Sequence, residues 1–453
     1  MMVGRTRSYY RVELELKSAL SIGCANSVLT DSDVVLDGRG RPLIPATSLA
    51  GVMRHTLDPE RAEAIFGSRE VGEGALRVYD AVWTEGNRSV SLRDNVALEH
   101  GVAKEGLKFD RQIVEPGARF VWHLEVIGND LFGQGDIVRF LSALNSGALR
   151  LGAKSTRGMG EVGVVNCQMR LFDLNNVGQR DQWLEFDQFN DGDWPDGSSI
   201  SLDGDPSADA VITLSLAQRG AISVREYSTE PGRPDFSQLY VRSSDPDGKH
   251  KDQPIIPGTS WAGAIRERCA VLSGDAGAVD ELFGCVRKVK GQTHAQRSQV
   301  SISETPLSGG TWKEITRNSI DRFTGGTKDG ALFTLRTYYG GNCKLVVRIA
   351  QGQVALRDAM RLLLPVLADV ANGLLCVGGL GAVGHGIFEV KDISLSIKGK
   401  SMHDFEQQFL KRDKLGFVEP DIASLADSVC AFAKKSAASA GTAGKAKEAA
   451  HDD

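Results

Sequence analysis

One phrase occurs twice in this chain, and the repetition restricts its possible folds more than any other feature. The run Pro254-Ile255-Ile256-Pro257-Gly258-Thr259-Ser260-Trp261-Ala262-Gly263-Ala264-Ile265-Arg266 restates Pro42-Leu43-Ile44-Pro45-Ala46-Thr47-Ser48-Leu49-Ala50-Gly51-Val52-Met53-Arg54. In each copy two prolines bracket an apolar pair and favour an extended entry. A Thr-Ser pair then supplies hydroxyls able to cap a helix that continues through Ala-Gly to an arginine. Where Ser48 or Ser260 lies near an N-cap, the free N–H groups and positive dipole end form an anion site, to which Arg54 or Arg266 adds charge.

The rest of the chain repeats around the phrase. The first copy reads as an alternating strand from Tyr9 to Leu16, a loop of small and acidic residues, and a helix from about Ser48 to Phe66. A polar stretch with Lys104, Lys108 and Arg111 follows, then a strand from Arg119 to Ile127, a helix from Asp136 to Leu144, and the run Leu151-Gly152-Ala153-Lys154-Ser155-Thr156-Arg157-Gly158-Met159-Gly160. The second copy gives a strand from Ala210 to Leu216, a longer loop, a helix ending at Phe283, and Asn318-Ser319-Ile320-Asp321-Arg322-Phe323-Thr324-Gly325-Gly326. It closes with a strand from Cys343 to Ile349, a helix from Val354 to Ala371, and Gly378-Gly379-Leu380-Gly381-Ala382-Val383-Gly384-His385-Gly386. Lys108 to Arg111 answers Ser319 to Arg322. The expected layout is a first unit over 1–175, a linker over 176–209, a second unit over 210–397, a helical extension over 398–433 and a disordered Ala, Gly and Lys tail over 434–453.

Composition narrows the function classes. A hydrophobic fraction of 41% with 25% charged residues is that of a soluble globular protein, and neither a membrane-length apolar run nor a secretory signal is visible. The seven cysteines are scattered without a CxxC pair, against a disulfide framework or structural zinc, so a cytoplasmic location is expected. With a net charge of −5, any nucleic-acid surface must be local.

Gly379-Leu380-Gly381-Ala382-Val383-Gly384 satisfies GxGxxG, yet Ile387 to Ile393 alternates like a strand where a dinucleotide fingerprint must open a helix. The alternative is a turn that lets another backbone approach closely. Lys154 and Arg157 in the first copy favour a polyanion as that partner. His55, His100, His123, His294 and His385 fall into no catalytic or metal spacing; His385, inside the second glycine run, is the one placed to touch such a partner.

Taken together, the first strand, the aspartate-containing loop, the IPGTSxxGxxR-like helix start, the NSIDRxTGGxxxGALF-like segment and the closing glycine run resemble the RAMP superfamily, the backbone subunits of type III CRISPR effector complexes. Two copies resemble the fused double subunits of such systems. Ala46 stands where the family has glycine, and Asp110-Arg111 lacks the Thr-Gly-Gly that follows Arg322.

The resemblance implies an α+β protein of two tandem ferredoxin-like, RRM-related units. Each would carry an inserted thumb hairpin, the second around Asp321-Arg322, that pushes between bases of a guide–target duplex. It implies guide RNA, target RNA and other type III subunits as partners. Ser48, Arg54, Arg111, Lys154, Arg157, Ser260, Arg266, Arg322, Gly379, Gly381 and His385 become the RNA-binding candidates. The family's catalytic element is one aspartate in the loop before the helix start. Asp31 takes that position in the first unit, with Asp33 next; Asp235 takes it in the second, with Asp245 next. Asp31 and Asp235 are also the candidates for a Mg²⁺ or other divalent cation. Two rival readings are a backbone subunit without catalysis and a stand-alone endoribonuclease that processes guide precursors.

Overall fold

In strand β1 (Thr6–Leu16) Tyr10, Val12, Leu14 and Leu16 are buried while Arg11, Glu13 and Glu15 are partly open to water, so one face of the strand is committed to a core. The computed structural model describes residues 6–24, 30–70, 72–99, 102–128, 132–194, 199–202, 204, 207, 209–227, 232–244, 250–289 and 292–448. The chain divides into two units, the first drawn mainly from residues up to Ser207 and the second from Ala208 onward, with Ala97–Leu107 and Thr156–Gly158 grouped in the second.

In the first unit β1 is followed by helices α1 (Ala46–His55) and α2 (Pro59–Phe66), strand β2 (Ala81–Gly86), the hairpin of β3 (Val90–Glu99) and β4 (Val102–Val114), strand β5 (Ala118–Ile127), helix α3 (Gln134–Asn145), strand β6 (Val162–Asp173) and helix α4 (Val177–Glu185). The sheet runs β6-β1-β5-β2 with antiparallel neighbours. That is the ferredoxin-like order, in which the first and last strands of βαββαβ are adjacent. Helix α3 lays Ile137, Phe140, Leu141 and Leu144 on the inner face against Trp122 and Leu124 of β5.

The second unit repeats this. Strand β7 (Ala210–Arg219) leads through short strand β8 (Phe236–Gln238) to helices α5 (Gly258–Ser273) and α6 (Ala276–Phe283) and strand β9 (Val300–Ile302). The hairpin of β10 (Thr311–Ile320) and β11 (Thr327–Tyr339), strand β12 (Asn342–Ile349), helix α7 (Leu356–Ala371) and strand β13 (Ile387–Ile397) complete the fold. Its sheet runs β9-β12-β7-β13, the same order. Ile212, Leu214 and Leu216 meet Met360, Leu363, Leu364 and Leu367 of α7, while Trp261 of α5 lies buried with its Nε1–H donating to Thr305 Oγ1 at 2.8 Å.

Three expectations change. The expected helix from Ser48 to Phe66 is two helices, because Pro59 opens a new one after Asp58, and the one expected to end at Phe283 is likewise two, because Gly274 in the left-handed region ends α5 and Asp275 caps α6. The stretch read as a linker carries α4, and Trp194 within it is buried with Tyr9 and Phe172, backed by Trp183 and Phe186; the aromatic side chains outweigh the surrounding Asp and Gly. Beyond β13, α8 (Phe405–Phe409) and α9 (Ile422–Glu448) follow, and Phe405, Phe409, Leu425 and Val429 join the second core. Helix α9 continues through 434–448, part of the tail read as disordered, in keeping with alanine's helix propensity.

Candidate functional site

The Thr-Ser hydroxyls do not cap the repeated helices. The N-caps are Pro45 and Pro257, neither with a side-chain cap bond, so Ser48 and Ser260 stand inside the first turn, both half-buried. The second proline of each pair fixes the extended φ that the N-cap needs and takes the position expected of serine. At α1 the positive end is answered from within, as the Ala46 N–H donates to Asp80 Oδ1 at 2.6 Å. Arg54 is exposed in the last turn of α1. Arg266 is engaged, donating to the Gly284 carbonyl at 3.1 Å and to Asp280 at 2.6 Å.

The loop before α1 sorts its aspartates by burial. Asp33 is 8% exposed and its Oδ1 accepts from the Thr30 N–H at 3.0 Å and hydroxyl at 2.8 Å, which makes it a turn aspartate. Asp31 is exposed. Its Oδ2 accepts the Asp110 N–H of β4 at 3.0 Å, and its own N–H donates to Asp110 Oδ1 at 3.0 Å. In the second unit the exposed Asp235 accepts the Thr334 N–H of β11 through Oδ2 at 2.7 Å. In both repeats, then, the loop aspartate rests on a backbone N–H of the returning hairpin strand. Its other carboxylate oxygen accepts no hydrogen bond among the described residues. Asp245 lies outside the described residues.

These contacts correct one correspondence. Asp321-Arg322 occupies the hairpin tip, where Asp321 accepts from Phe323 N–H, Thr324 N–H and the Thr324 hydroxyl, and those bonds lower its pKa. Asp110-Arg111 instead lies well down β4, so the position that answers Asp110 is Thr334. Arg322 is exposed at the tip beside Phe323, which is 92% exposed.

The two glycine runs share one backbone. Ala153 N–H donates to the Ser21 carbonyl and Gly379 N–H to that of Ser223; Gly160 N–H donates to the Ala19 carbonyl and Gly386 N–H to that of Ala221. Lys154 and Leu380, both at positive φ, take equivalent places, and each is followed by one 3₁₀ turn. The same conformation thus carries Lys154 and Arg157 in the first repeat's glycine run and Leu380 and Val383 in the second's. Gly379 and Gly381 are partly open, and a Cβ on Gly379 would meet the Arg225 guanidinium at 3.2 Å.

Three consecutive residues of β4 gather the first-unit candidates. Phe109 lies under the Lys154 ammonium at 5.0 Å, Asp110 meets Asp31, and Arg111 donates to Ser21 Oγ at 3.1 Å. In the second unit Phe333 packs on Phe236, whose ring lies under Arg225 at 5.5 Å. Sequence reading missed Phe109, Asp110 and Arg225. The match of Ala19-Leu20-Ser21-Ile22 with Ala221-Ile222-Ser223-Val224, just before Arg225, was the available signal. The side chain of Arg157 is exposed, though crowding by protein atoms lowers its pKa.

His385 is 5% exposed, its N–H donates to the Leu380 carbonyl at 3.2 Å, and Nδ1 finds no partner among the described residues; burial, then the Arg317 charge, lowers its pKa. His123 is buried on β5, where burial and then the Arg11 charge push its pKa down to about 4. The unfolded chain takes up that proton near 6.5, so stability present above pH 6.5 is lost as pH falls toward 4. At pH 5 the loss is expected to be roughly 2 kcal/mol, read from the denaturant midpoint of the first unit. His123→Phe should flatten that dependence. His55 and His294 are exposed, and His100 lies outside the described residues.

Chemically, each unit offers an exposed carboxylate with one oxygen fixed and one open, a close-approach glycine turn, and a nearby cation. No group of three or more metal-ligating side chains occurs among the described residues. A hard cation that keeps most of its water and takes one or two carboxylates remains compatible with such oxygens. No helix among the described residues is long and apolar enough to cross a membrane.

The RAMP superfamily profile matches residues 13–163 and 238–389, one match per repeat and together more than half of the chain. No curated protein sequence matches. Among solved structures the chain is similar to a chain of the Type III-B Cmr-beta complex bound to cognate target RNA, at 20% identity and a TM-score of 0.32. That alignment covers 37% of this chain and 62% of the other, less than two thirds of that relative's length.

Proposed function

Because the chain belongs to the RAMP superfamily, we propose that it is a double backbone segment of a type III CRISPR ribonucleoprotein, which holds guide RNA and cuts the paired target RNA once per repeat. The observation that carries this reading is the loop aspartate braced in both units against the returning strand of a long hairpin, Asp31 on Asp110 and Asp235 on Thr334. A feature kept through duplication in loops of different length and sequence fits a shared task.

Cleavage of RNA by its own 2′-hydroxyl needs that hydroxyl deprotonated and held in line with the adjacent phosphate; the 2′-oxygen bonds to phosphorus as the P–O5′ bond breaks, and the departing 5′-oxygen takes a proton from water. The open oxygen of Asp31 or Asp235 is the proton acceptor. The hairpin supplies the alignment: Ile320, Phe323 and Leu332 leave apolar surface in water at 61%, 92% and 67% exposure, suited to wedge between base pairs. Asp31 or Asp235 would hold a hydrated Mg²⁺ through one of its waters, and the ion would supply charge neutralisation at the phosphate. Lys154, Arg157, Arg322 and Arg225 position the RNA backbone without reading sequence, the glycine turns let it approach closely, and base pairing supplies specificity. Guide RNA, target RNA and other type III subunits are the partners, in the cytoplasm.

Purifying the protein with the products of its neighbouring genes and sequencing the RNA that accompanies it tests the reading. Repeat-derived guides of uniform length are expected, and a complementary RNA should then be cut in Mg²⁺. Heterogeneous RNA, or none, would count against it. The Lys154→Ala, Arg157→Ala double variant should hold its guide more weakly, with a salt dependence shallower by about one unit of log–log slope per lost phosphate contact. Retention unchanged at every salt concentration would remove these two side chains from the interface.

A further inference from the structure

The two units brace their aspartates by different means, and the difference falls on one side chain. In the second unit the loop joins the hairpin through backbone: Phe236 and Ser237 pair in parallel with Leu335 and Arg336, and the Asp235 carboxylate takes the Thr334 N–H. The Thr334 hydroxyl is turned to Thr316 Oγ1 at 3.0 Å and takes no part. In the first unit side chains replace most of that ladder. Asp110 and Gln112, two residues apart and so on one face of β4, reach across to the loop amides. Asp110 Oδ1 accepts the Asp31 N–H at 3.0 Å and Gln112 Oε1 accepts the Val34 N–H at 3.1 Å, while one backbone bond, Gln112 N–H to the Ser32 carbonyl at 3.0 Å, lies between them.

We infer that Asp110 is the positioning residue of the first-unit cutting site, holding Asp31 by a reciprocal pair of hydrogen bonds for which the second unit has no side-chain counterpart. The inference rests on the reading of Asp31 as the residue that acts on target RNA. Asp110 itself does not touch the reacting atoms. It fixes the backbone of Asp31 from one side, and its own N–H fixes Oδ2 from the other, so the carboxylate approaches RNA in a single orientation. Deleting the Asp110 side chain frees the Asp31 N–H to water and leaves one of the two bonds. Deleting the Thr334 side chain leaves the second-unit brace untouched, because the donor there is a main-chain N–H.

The test uses the complex purified with its guide, incubated with end-labelled complementary RNA in Mg²⁺, so that each cut is a separate band. Asp110→Ala is expected to slow the cut assigned to the first unit by about tenfold at saturating target, as misplacement of a reacting group does, with target affinity and the other cut unchanged. Asp110→Asn, which keeps an oxygen for the Asp31 N–H, should restore most of the rate. The second cut serves as a folding control within the same molecule. Unchanged rates in Asp110→Ala, equal slowing of both cuts, or an Asn variant as slow as the Ala variant would overturn the assignment. An Asp31→Ala variant that still makes the first cut would instead overturn the reading beneath it, and this inference with it.

Discussion

Asp31→Ala and Asp235→Ala are each expected to erase one cut of the paired target RNA and spare the other. Removing a positioned general base typically costs a factor of about 100 to 10,000, so each band should fall at least about 100-fold and the double variant should make neither. Guide retention should hold at wild-type levels, because both carboxylates are exposed and, among the described residues, bond only to hairpin N–H groups. Asp33→Ala provides the contrast. That carboxylate is buried and occupied by Thr30, so its loss should loosen the loop and lower stability by about 1 to 2 kcal/mol. Full cleavage by the double variant would leave a RAMP backbone segment whose aspartates are inert.

Gly386→Ala should be the most damaging small substitution in the second unit. Gly386 has φ +76, and a Cβ there would stand 2.0 Å from the Val377 carbonyl oxygen. That carbonyl cannot retreat, because Val377 N–H donates to the Gly386 carbonyl at 2.9 Å and Gly386 N–H to Ala221 at 2.8 Å. The expected loss is roughly 4 kcal/mol, combining backbone strain with a steric clash, and denaturant unfolding of the intact chain reads it. Its counterpart Gly160, with φ +75 and a Cβ 1.8 Å from the Leu151 carbonyl oxygen, should respond alike. Gly263→Ala in α5 meets nothing within 4 Å and should be neutral or stabilising by up to about 1 kcal/mol. A loss below about 1 kcal/mol in Gly386→Ala would mean that the turn can open without cost to the sheet.

The repeat and its element order were legible because they rest on local signals: alternation in β1 and β7, apolar spacing in α3 and α7, and glycine at the closing turns. The preference for Asp31 over Asp33 rests on resemblance alone. Both aspartates precede the same helix, and only three-dimensional burial separates the turn residue from the one facing water. The pairing of Asp110 with Asp321 failed for a related reason. Short Asp-Arg strings match in sequence wherever they sit along a hairpin, while the register that places Asp110 beside Asp31 is set by long-range contacts. Capping misled as well, since Thr-Ser after Pro suggests a hydroxyl cap but proline itself occupies the N-cap.

The aromatic cluster of Tyr9, Phe172 and Trp194 also decides where the gene can be divided. Tyr9 belongs to the first strand and Trp194 to the middle of what composition alone would discard as spacer; the Trp183 Nε1–H donates to the Tyr9 hydroxyl at 2.8 Å across the same cluster. A fragment ending at the last sheet strand would present Tyr9 and Phe172 to water and invite aggregation. A truncation meant to isolate the first repeat therefore keeps Trp194 and places its stop codon no earlier than Leu202, because the Ile200 N–H donates to the Cys167 carbonyl at 2.7 Å and Ile200 and Leu202 pack against the first core.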